Sequence, residues 1–290
     1  MKTLQMPMFV PETEWTPPLQ LPDLSGHSQI AIDLETRDPN LKSLGSGAIR
    51  GDGEVVGIAL AVDGWSGYFP IGHEGGGNLD RALVVDWFEE VCATRATKIF
   101  HNAMYDVSWI KAMGIKINGR IIDTMIAASL VDENRWGFTL DGVAKQYVGS
   151  GKNERMLMEA AKAWGIDPKA EMWRLPAPFV GTYAEKDAEV TLKLWHAMEH
   201  EIEKQELHDV FDLETDLFPC LATLTPILDN NKADAVDIFS VFIPSPPVPH
   251  VSTQSLTLTL FDLFLKTYTP PAISFATSPF AERRVRKSKI

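Results

Sequence analysis

Cysteine is scarce in this 290-residue chain: Cys92 and Cys220 are the only two, far apart and outside any CxxC or zinc-knuckle spacing. That excludes a disulfide framework or a cysteine-rich metal site and fits reduced thiols in a cytoplasm. Long apolar runs are missing too. None approaches the roughly 18 residues of a membrane span, and the first 18 residues hold no apolar block of signal-peptide length. The expectation is a cytoplasmic protein without membrane contact. Positive charge is also in short supply, with 27 basic residues against 39 acidic ones and a net charge of −12. A broad basic face for duplex nucleic acid is therefore excluded, because Lys and Arg contacts to phosphate supply most non-specific affinity. A small site for a few nucleotides is not excluded, since bound metal ions can provide local positive charge and such ions need carboxylates.

What remains is ordinary globular material, 45% hydrophobic and 23% charged, but it is unevenly distributed. Residues 1–27 are rich in proline and polar groups and read as an extended arm. Residues 221–290 hold 5 acidic and 7 basic residues, against 34 and 20 in the first 220. Seven prolines fall between Pro244 and Pro279, and the basic run Arg283-Arg284-Val285-Arg286-Lys287 follows. Hydrophobic periodicity fails there, so a domain over 28–215 is expected, followed by the remnant of a linker helix and a poorly ordered basic tail over 216–290.

Within that domain, Ile30, Ile32 and Leu34 alternate with Asp33 and Glu35, which is the period of a strand over 29–35. Two further strands, 55–62 and 65–71, flank Asp63-Gly64, a hairpin signal. Leu79, Leu83, Trp87 and Val91 predict a helix over 79–94, and Lys98 to Phe100 a short strand. Helices are expected near 103–113, 122–131, 139–147, 153–164 and 181–205. Three antiparallel strands followed by strand–helix alternation predict an α/β sheet covered by helices, ribonuclease-H-like in outline.

Three short patterns carry chemistry. Asp33-Leu34-Glu35 projects two carboxylates from one face of a strand, as a hard divalent cation requires of its oxygen ligands. An Asp-x-Glu triplet alone means little, because about one arises by chance in a chain this long. Asn102 to Asp106 follows a buried strand and opens a helix; an acid in a first helical turn is also favourable for the macrodipole alone. Tyr183 and Asp187, four apart on a helix, share one face, and the phenol and carboxylate can reach a common point.

Together, Asp33-x-Glu35, Asn102-x-x-x-Asp106 and Tyr183-x-x-x-Asp187 resemble the three exonuclease motifs of the DEDD superfamily in its DEDDy branch, since Thr182 stands where the other branch has histidine. The wording Asp-Leu-Glu-Thr, His-Asn-Ala-x-x-Asp and Tyr-Ala-x-x-Asp, with Asp123-Thr124-Met125 and Thr139-Leu140 between the last two, is similar to the proofreading 3′-5′ exonuclease domain of phage and bacterial family A DNA polymerases over about 28–220. The resemblance implies a ribonuclease-H-like mixed sheet and hydrolysis of single-stranded DNA 3′ ends to nucleoside monophosphates. It implies two divalent metal ions, Mg²⁺ or Mn²⁺: Asp33, Glu35 and Asp187 would hold one, and Asp33, with Asp106 through water, the other. Glu35 would also meet the 3′ hydroxyl, and Tyr183 would orient the attacking water. Leu34, Thr36 and Asn102 would lie against the terminal nucleotide. A polymerase domain or subunit is the implied partner, because nothing after residue 220 resembles polymerase motifs.

Rival readings remain beside this one. A ribonuclease D-like exoribonuclease needs the same acids, and a non-catalytic nucleic-acid-binding module could use the same scaffold. His196-Ala197-Met198-Glu199-His200 fits the H-x-x-E-H metalloprotease pattern, but the pattern is short, no distant third ligand accompanies it, and a solvated helix face explains it better. Asp212-Leu213-Glu214-Thr215 repeats the first motif letter for letter, but Leu207, Val210, Phe211, Leu217 and Leu221 recur at helical spacing, which points its two acids about 200° apart. Gly75-Gly76-Gly77 matches no phosphate-binding fingerprint and reads as a flexible turn.

Overall fold

The structure is a computed structural model that describes residue 7, residues 10–149 and residues 154–230, the last eight by backbone alone. Strands β1 (Gln29–Arg37), β2 (Glu54–Val62), β3 (Trp65–Pro70), β4 (Thr97–Phe100) and β5 (Ile121–Asp123) form one sheet in the order β3-β2-β1-β4-β5. The first three are antiparallel neighbours, while β4 runs parallel to β1 and β5 parallel to β4. This is the ribonuclease-H-like mixed sheet expected from the strand pattern. Gly64, at φ +80°, turns the β2–β3 hairpin where Asp-Gly predicts it.

Among the described residues the helices are α1 (Leu41–Leu44), α2 (Gly47–Arg50), α3 (Arg81–Ala93), α4 (Ala103–Ala112), α5 (Thr124–Val131), α6 (Leu140–Tyr147), α7 (Arg155–Trp164), α8 (Gly181–Lys204) and α9 (His208–Asn230). Several starts are written in side chains that accept the first orphan N–H groups: Asp80 caps Leu83, Asp123 caps Met125 and Thr139 caps Gly142. The helix expected over 122–131 begins one element later, because Ile121–Asp123 pairs with β4 as a strand and Asp123 is the cap that ends it.

The sheet has a core on each face. Ala31, Ala59, Tyr68, Ile99 and Ile122 pack on one side against α5, α6, α7 and α8. On the other side Ile30, Ile32, Leu34, Ile58, Leu60 and Phe69 meet α3, α4 and the Phe218 end of α9. Each fully buried side chain of this size contributes about 1.5–3 kcal/mol. Consequently the acidic face of β1, with Asp33 and Glu35, belongs to the side that α8 covers. Residues 231–290 of the segment expected over 216–290, and residues 1–6, 8 and 9 of the arm expected over 1–27, lie outside the described residues. No helix among the described residues is long and apolar enough to cross a membrane.

Candidate active site

β1 is longer than its neighbour β4. Their pairing ends at Ala31–Ile99, so beyond that point the edge of β1 that faces β4 has no ladder partner. Asp106, in the first turn of α4, takes that role: its Oδ1 accepts the Leu34 N–H at 3.0 Å. The carboxylate is thereby fixed at the edge of β1, within the field of Asp33. Directly after Glu35 the β1–β2 register slips, with Glu35 opposite Gly57 and Thr36 opposite Val55. Such a bulge re-aims the side chains beside it, and bulges are frequent next to active sites.

The turn into α4 is held by Asp123, whose Oδ1 accepts the Asn102 N–H at 2.9 Å and whose Oδ2 accepts the Ala103 N–H at 2.8 Å. That grip supports Asn102 in the left-handed conformation, φ 70°, which asparagine tolerates better than most residues. Asp123 is thus the anchor of the second motif, although its sequence context shows only an acid before a helix. Thr36 bonds the Tyr105 hydroxyl across the same corner at 2.6 Å.

From the opposite side α8 brings in Tyr183 and Asp187, which are hydrogen-bonded to each other one helical turn apart. The Tyr183 hydroxyl feels Glu35, then Asp187, then Asp33; these charges, after burial as the first cause, push its pKa far above the ordinary phenol range. Tyr183 thus lies within the fields of Asp33, Glu35 and Asp187, and Asp106 within that of Asp33. Glu35, Asp106, Tyr183 and Asp187 are between 2% and 8% exposed, and Asp33 is half-buried. Asp106 is raised well above the carboxylate range, first by burial and then by the Asp33 charge, and no cationic side chain is among the main influences on it.

This donor set suits a hard divalent cation, being all oxygen and built from carboxylates. Among the described residues no three Asp, Glu, His or Cys side chains stand close enough to enclose an ion as they are. Closing on one requires these carboxylates to draw together against their mutual repulsion.

The other patterns separate from the site. Asp212 is exposed and paired with Arg120, while Glu214 is buried on the inner face of α9. His196, Glu199 and His200 are exposed on α8, and His196 bonds the Gln29 side chain at 3.0 Å. The glycine run is no loose turn: a Cβ on Gly75 would stand 2.4 Å from the Pro176 nitrogen, so this loop is packed against the approach to α8. Cys92 is buried, which pushes its thiol up to about 12, and Cys220 is exposed; both are free thiols.

Residues 21–203 match the 3′-5′ exonuclease family. The chain is 38% identical over 232 residues to a DNA-directed DNA polymerase of Pseudomonas phage M6, covering 77% of this chain and 35% of that protein. It is 30% identical over 205 residues to the DNA polymerase DpoZ of Salmonella phage PMBT28, covering 68% of this chain and 30% of that one. It thus spans about a third of the length of these relatives. Among solved structures it is similar to Brucella melitensis NrnC at 19% identity and a TM-score of 0.48, over 78% of this chain and 95% of that one. With the family match extending over the whole sheet and all three motifs, the chain belongs to the 3′-5′ exonuclease family carried by family A DNA polymerases.

Proposed function

We propose that the unit spanning about residues 28–215 removes nucleotides one at a time from single-stranded DNA 3′ ends, as the proofreading part of a family A DNA polymerase in the cytoplasm of a bacterial or phage-infected cell. The observation that carries this reading is the Tyr183 hydroxyl standing within the fields of Glu35, Asp187 and Asp33. In this reading Asp33, Glu35, Asp106 and Asp187 would hold two divalent ions, Mg²⁺ or Mn²⁺. Such ions, when bound, activate water and stabilise the leaving 3′ oxygen.

The chain's own groups do the rest. Tyr183, kept protonated by its buried and acidic surroundings, orients the attacking water by hydrogen bonding and does not remove its proton. Glu35 faces the 3′ hydroxyl, and Thr36 and Asn102 rest against the terminal nucleotide, whereas Leu34, expected there from the sequence, is buried in the core on the opposite face of the sheet. Asp106, tied to the Leu34 N–H, keeps the second and first motifs in register. The named activity of the phage relatives, DNA polymerase, supports DNA as the substrate and a polymerase domain or subunit as the partner.

A 5′-labelled single-stranded oligonucleotide tests this. It should shorten from its 3′ end in Mg²⁺, release nucleoside monophosphates and survive intact in excess chelator. Products that begin at the 5′ end, or hydrolysis that persists in chelator, refute the reading. Faster cleavage of RNA of the same sequence moves the substrate to the ribonuclease D-like alternative.

A further inference from the structure

The family match begins at residue 21, yet an earlier part of the chain lies against the helix that carries Tyr183 and Asp187. In this part of the proline-rich arm Pro11, Thr13 and Trp15 are half-buried while Glu12 and Glu14 are exposed, the alternation of an extended chain laid along a surface. The Thr13 hydroxyl donates to the Pro178 carbonyl, just ahead of α8, at 3.2 Å and accepts the Trp15 N–H at 3.3 Å. The arm is thereby fastened to the lead-in of α8, and Trp15 is turned toward the helix.

The indole sits on Gly181, the first residue of α8: a Cβ there would fall 2.1 Å from Trp15 Cε2 and 2.2 Å from Cδ2. Gly181 does not take the left-handed backbone, so the indole, not the local φ, calls for glycine. Val180, at the N-cap position, has no polar side chain to hold the helix start. Trp15 supplies that hold. Its indole N–H donates to the Glu185 carboxylate, whose Oε1 also accepts the Tyr68 N–H of β3 at 3.2 Å. The Trp15 and Tyr68 rings lie 5.9 Å apart. Tyr68 is itself fixed, with its hydroxyl 2.6 Å from His73 Nε2 and its phenol head in the space that a side chain on Gly57 would fill. Gly181 and Glu185 share one face of α8, while Tyr183 and Asp187 share another, roughly 200° around the axis. The arm thus grips the back of the two turns that carry the site residues.

We infer that Trp15 is a positioning residue of the exonuclease site: wedged between Gly181, Glu185 and Tyr68, it fixes the first two turns of α8 against the sheet and so places the Tyr183 hydroxyl beside the acids of β1. The inference rests on Tyr183 orienting the attacking water, as proposed above. Without the indole, the uncapped start of α8 is free to shift, and a displacement of about 1 Å in a reacting group can cost on the order of 100-fold in rate. Thr36 and Asn102, proposed to meet the nucleotide, stand on other elements, so substrate binding is spared. A methyl on Gly181 would push the indole out and have the same effect as its removal.

The test combines kinetics on a 5′-labelled single-stranded oligonucleotide in Mg²⁺ with hydrogen exchange, both on the full chain. The variants are Trp15→Ala, Gly181→Ala, Tyr183→Phe and the double variant Trp15→Ala with Tyr183→Phe, each checked for cooperative thermal unfolding. Trp15→Ala should lower kcat by about 10- to 100-fold and leave KM near that of the wild type, and Gly181→Ala should do likewise. In the Tyr183→Phe background the same Trp15→Ala change should cost only a small part of that, because both substitutions act through one hydroxyl. In Trp15→Ala the amides of residues 184–188 should exchange faster while those of β1 keep their protection. An unchanged kcat, an equal fold-loss in both backgrounds, or exchange that rises equally in β1 overturns the inference. Should Trp15→Ala fail to fold, Trp15→Phe, which keeps a ring over Gly181 and loses the N–H to Glu185, must show the same non-additivity at smaller size or the inference fails. A wild type that shortens no oligonucleotide while the exchange pattern holds refutes the exonuclease reading alone; an active wild type whose variants break either pattern refutes the positioning role alone.

Discussion

The tetrapeptide Asp-Leu-Glu-Thr occurs twice, at 33–36 and at 212–215, and the two copies have opposite fates. On β1 the two-residue period places Asp33 and Glu35 on one face, beneath α8, with Leu34 in the opposite core. On α9 the 3.6-residue period sends Asp212 out to an ion pair with Arg120 and turns Glu214 inward between Phe211 and Phe218, where burial pushes its carboxyl up to about 7. One Glu214 oxygen, Oε2, has no hydrogen-bond partner there. Identical side chains thus converge with two other acids in one copy and diverge in the other. Backbone periodicity decides the difference.

The largest effect that can break this contrast is at Glu35. Glu35→Ala should lower kcat/KM on a single-stranded oligonucleotide by at least ~100-fold, while Glu214→Ala leaves the rate of the folded protein near that of the wild type. Equal losses would mean that the helical copy also serves the reaction. Next in size, Tyr183→Phe should slow hydrolysis by about 10- to 100-fold, the scale of a misplaced reactant, with Mn²⁺ affinity kept. A fall in Mn²⁺ affinity as deep as that of Asp187→Ala contradicts a water-orienting role.

Glu214 itself should respond to pH in stability, not in chemistry. Its folded pKa of about 7 lies above the ordinary 4.5, so the neutral acid suits the fold. The stability this confers is fully present below pH 4.5 and is lost as pH rises through 7. Glu214→Gln, which cannot ionise, should accordingly stabilise the protein at pH 8 by on the order of 2 kcal/mol and by little at pH 4.5, read from denaturant unfolding. A gain of the same size at both pH values refutes the buried-carboxylate account. Smallest of all, Arg120→Ala removes an ion pair whose side chains are 44% and 57% exposed, and should cost less than about 1 kcal/mol.

Much of this was legible in the chain because it depends on local period. The alternation at 29–35 gives β1, Asp-Gly gives the hairpin, and the Tyr183–Asp187 spacing gives a shared helical face. The joint spacing of the three motifs picks out the acids that meet. What stayed hidden depends on contacts distant in sequence. α1 and α2 have four residues each and no side-chain cap, too few for any period to register. β5 is three residues long and is recognisable only through its partner β4. Asp123 looks like a cap for α5, yet half of its work is to hold Asn102 and Ala103, some twenty residues earlier. Tyr68 and His73 carry no pattern of their own; the one hint is Gly57 inside a strand, which marks a close approach by another group. The glycines at 75–77 suggest looseness, yet Gly75 and Gly77 serve tight packing against Pro176 and Pro178.

The two copies can be set against each other in a single experiment, with the wild type, Asp33→Asn and Asp212→Asn incubated with a 5′-labelled single-stranded oligonucleotide in Mg²⁺. Each substitution removes one charge and keeps the shape. The account predicts 3′-end shortening by the wild type and by Asp212→Asn at similar rates, abolished by chelator, and almost none by Asp33→Asn. Unimpaired shortening by Asp33→Asn, or its loss in a folded Asp212→Asn, would contradict it.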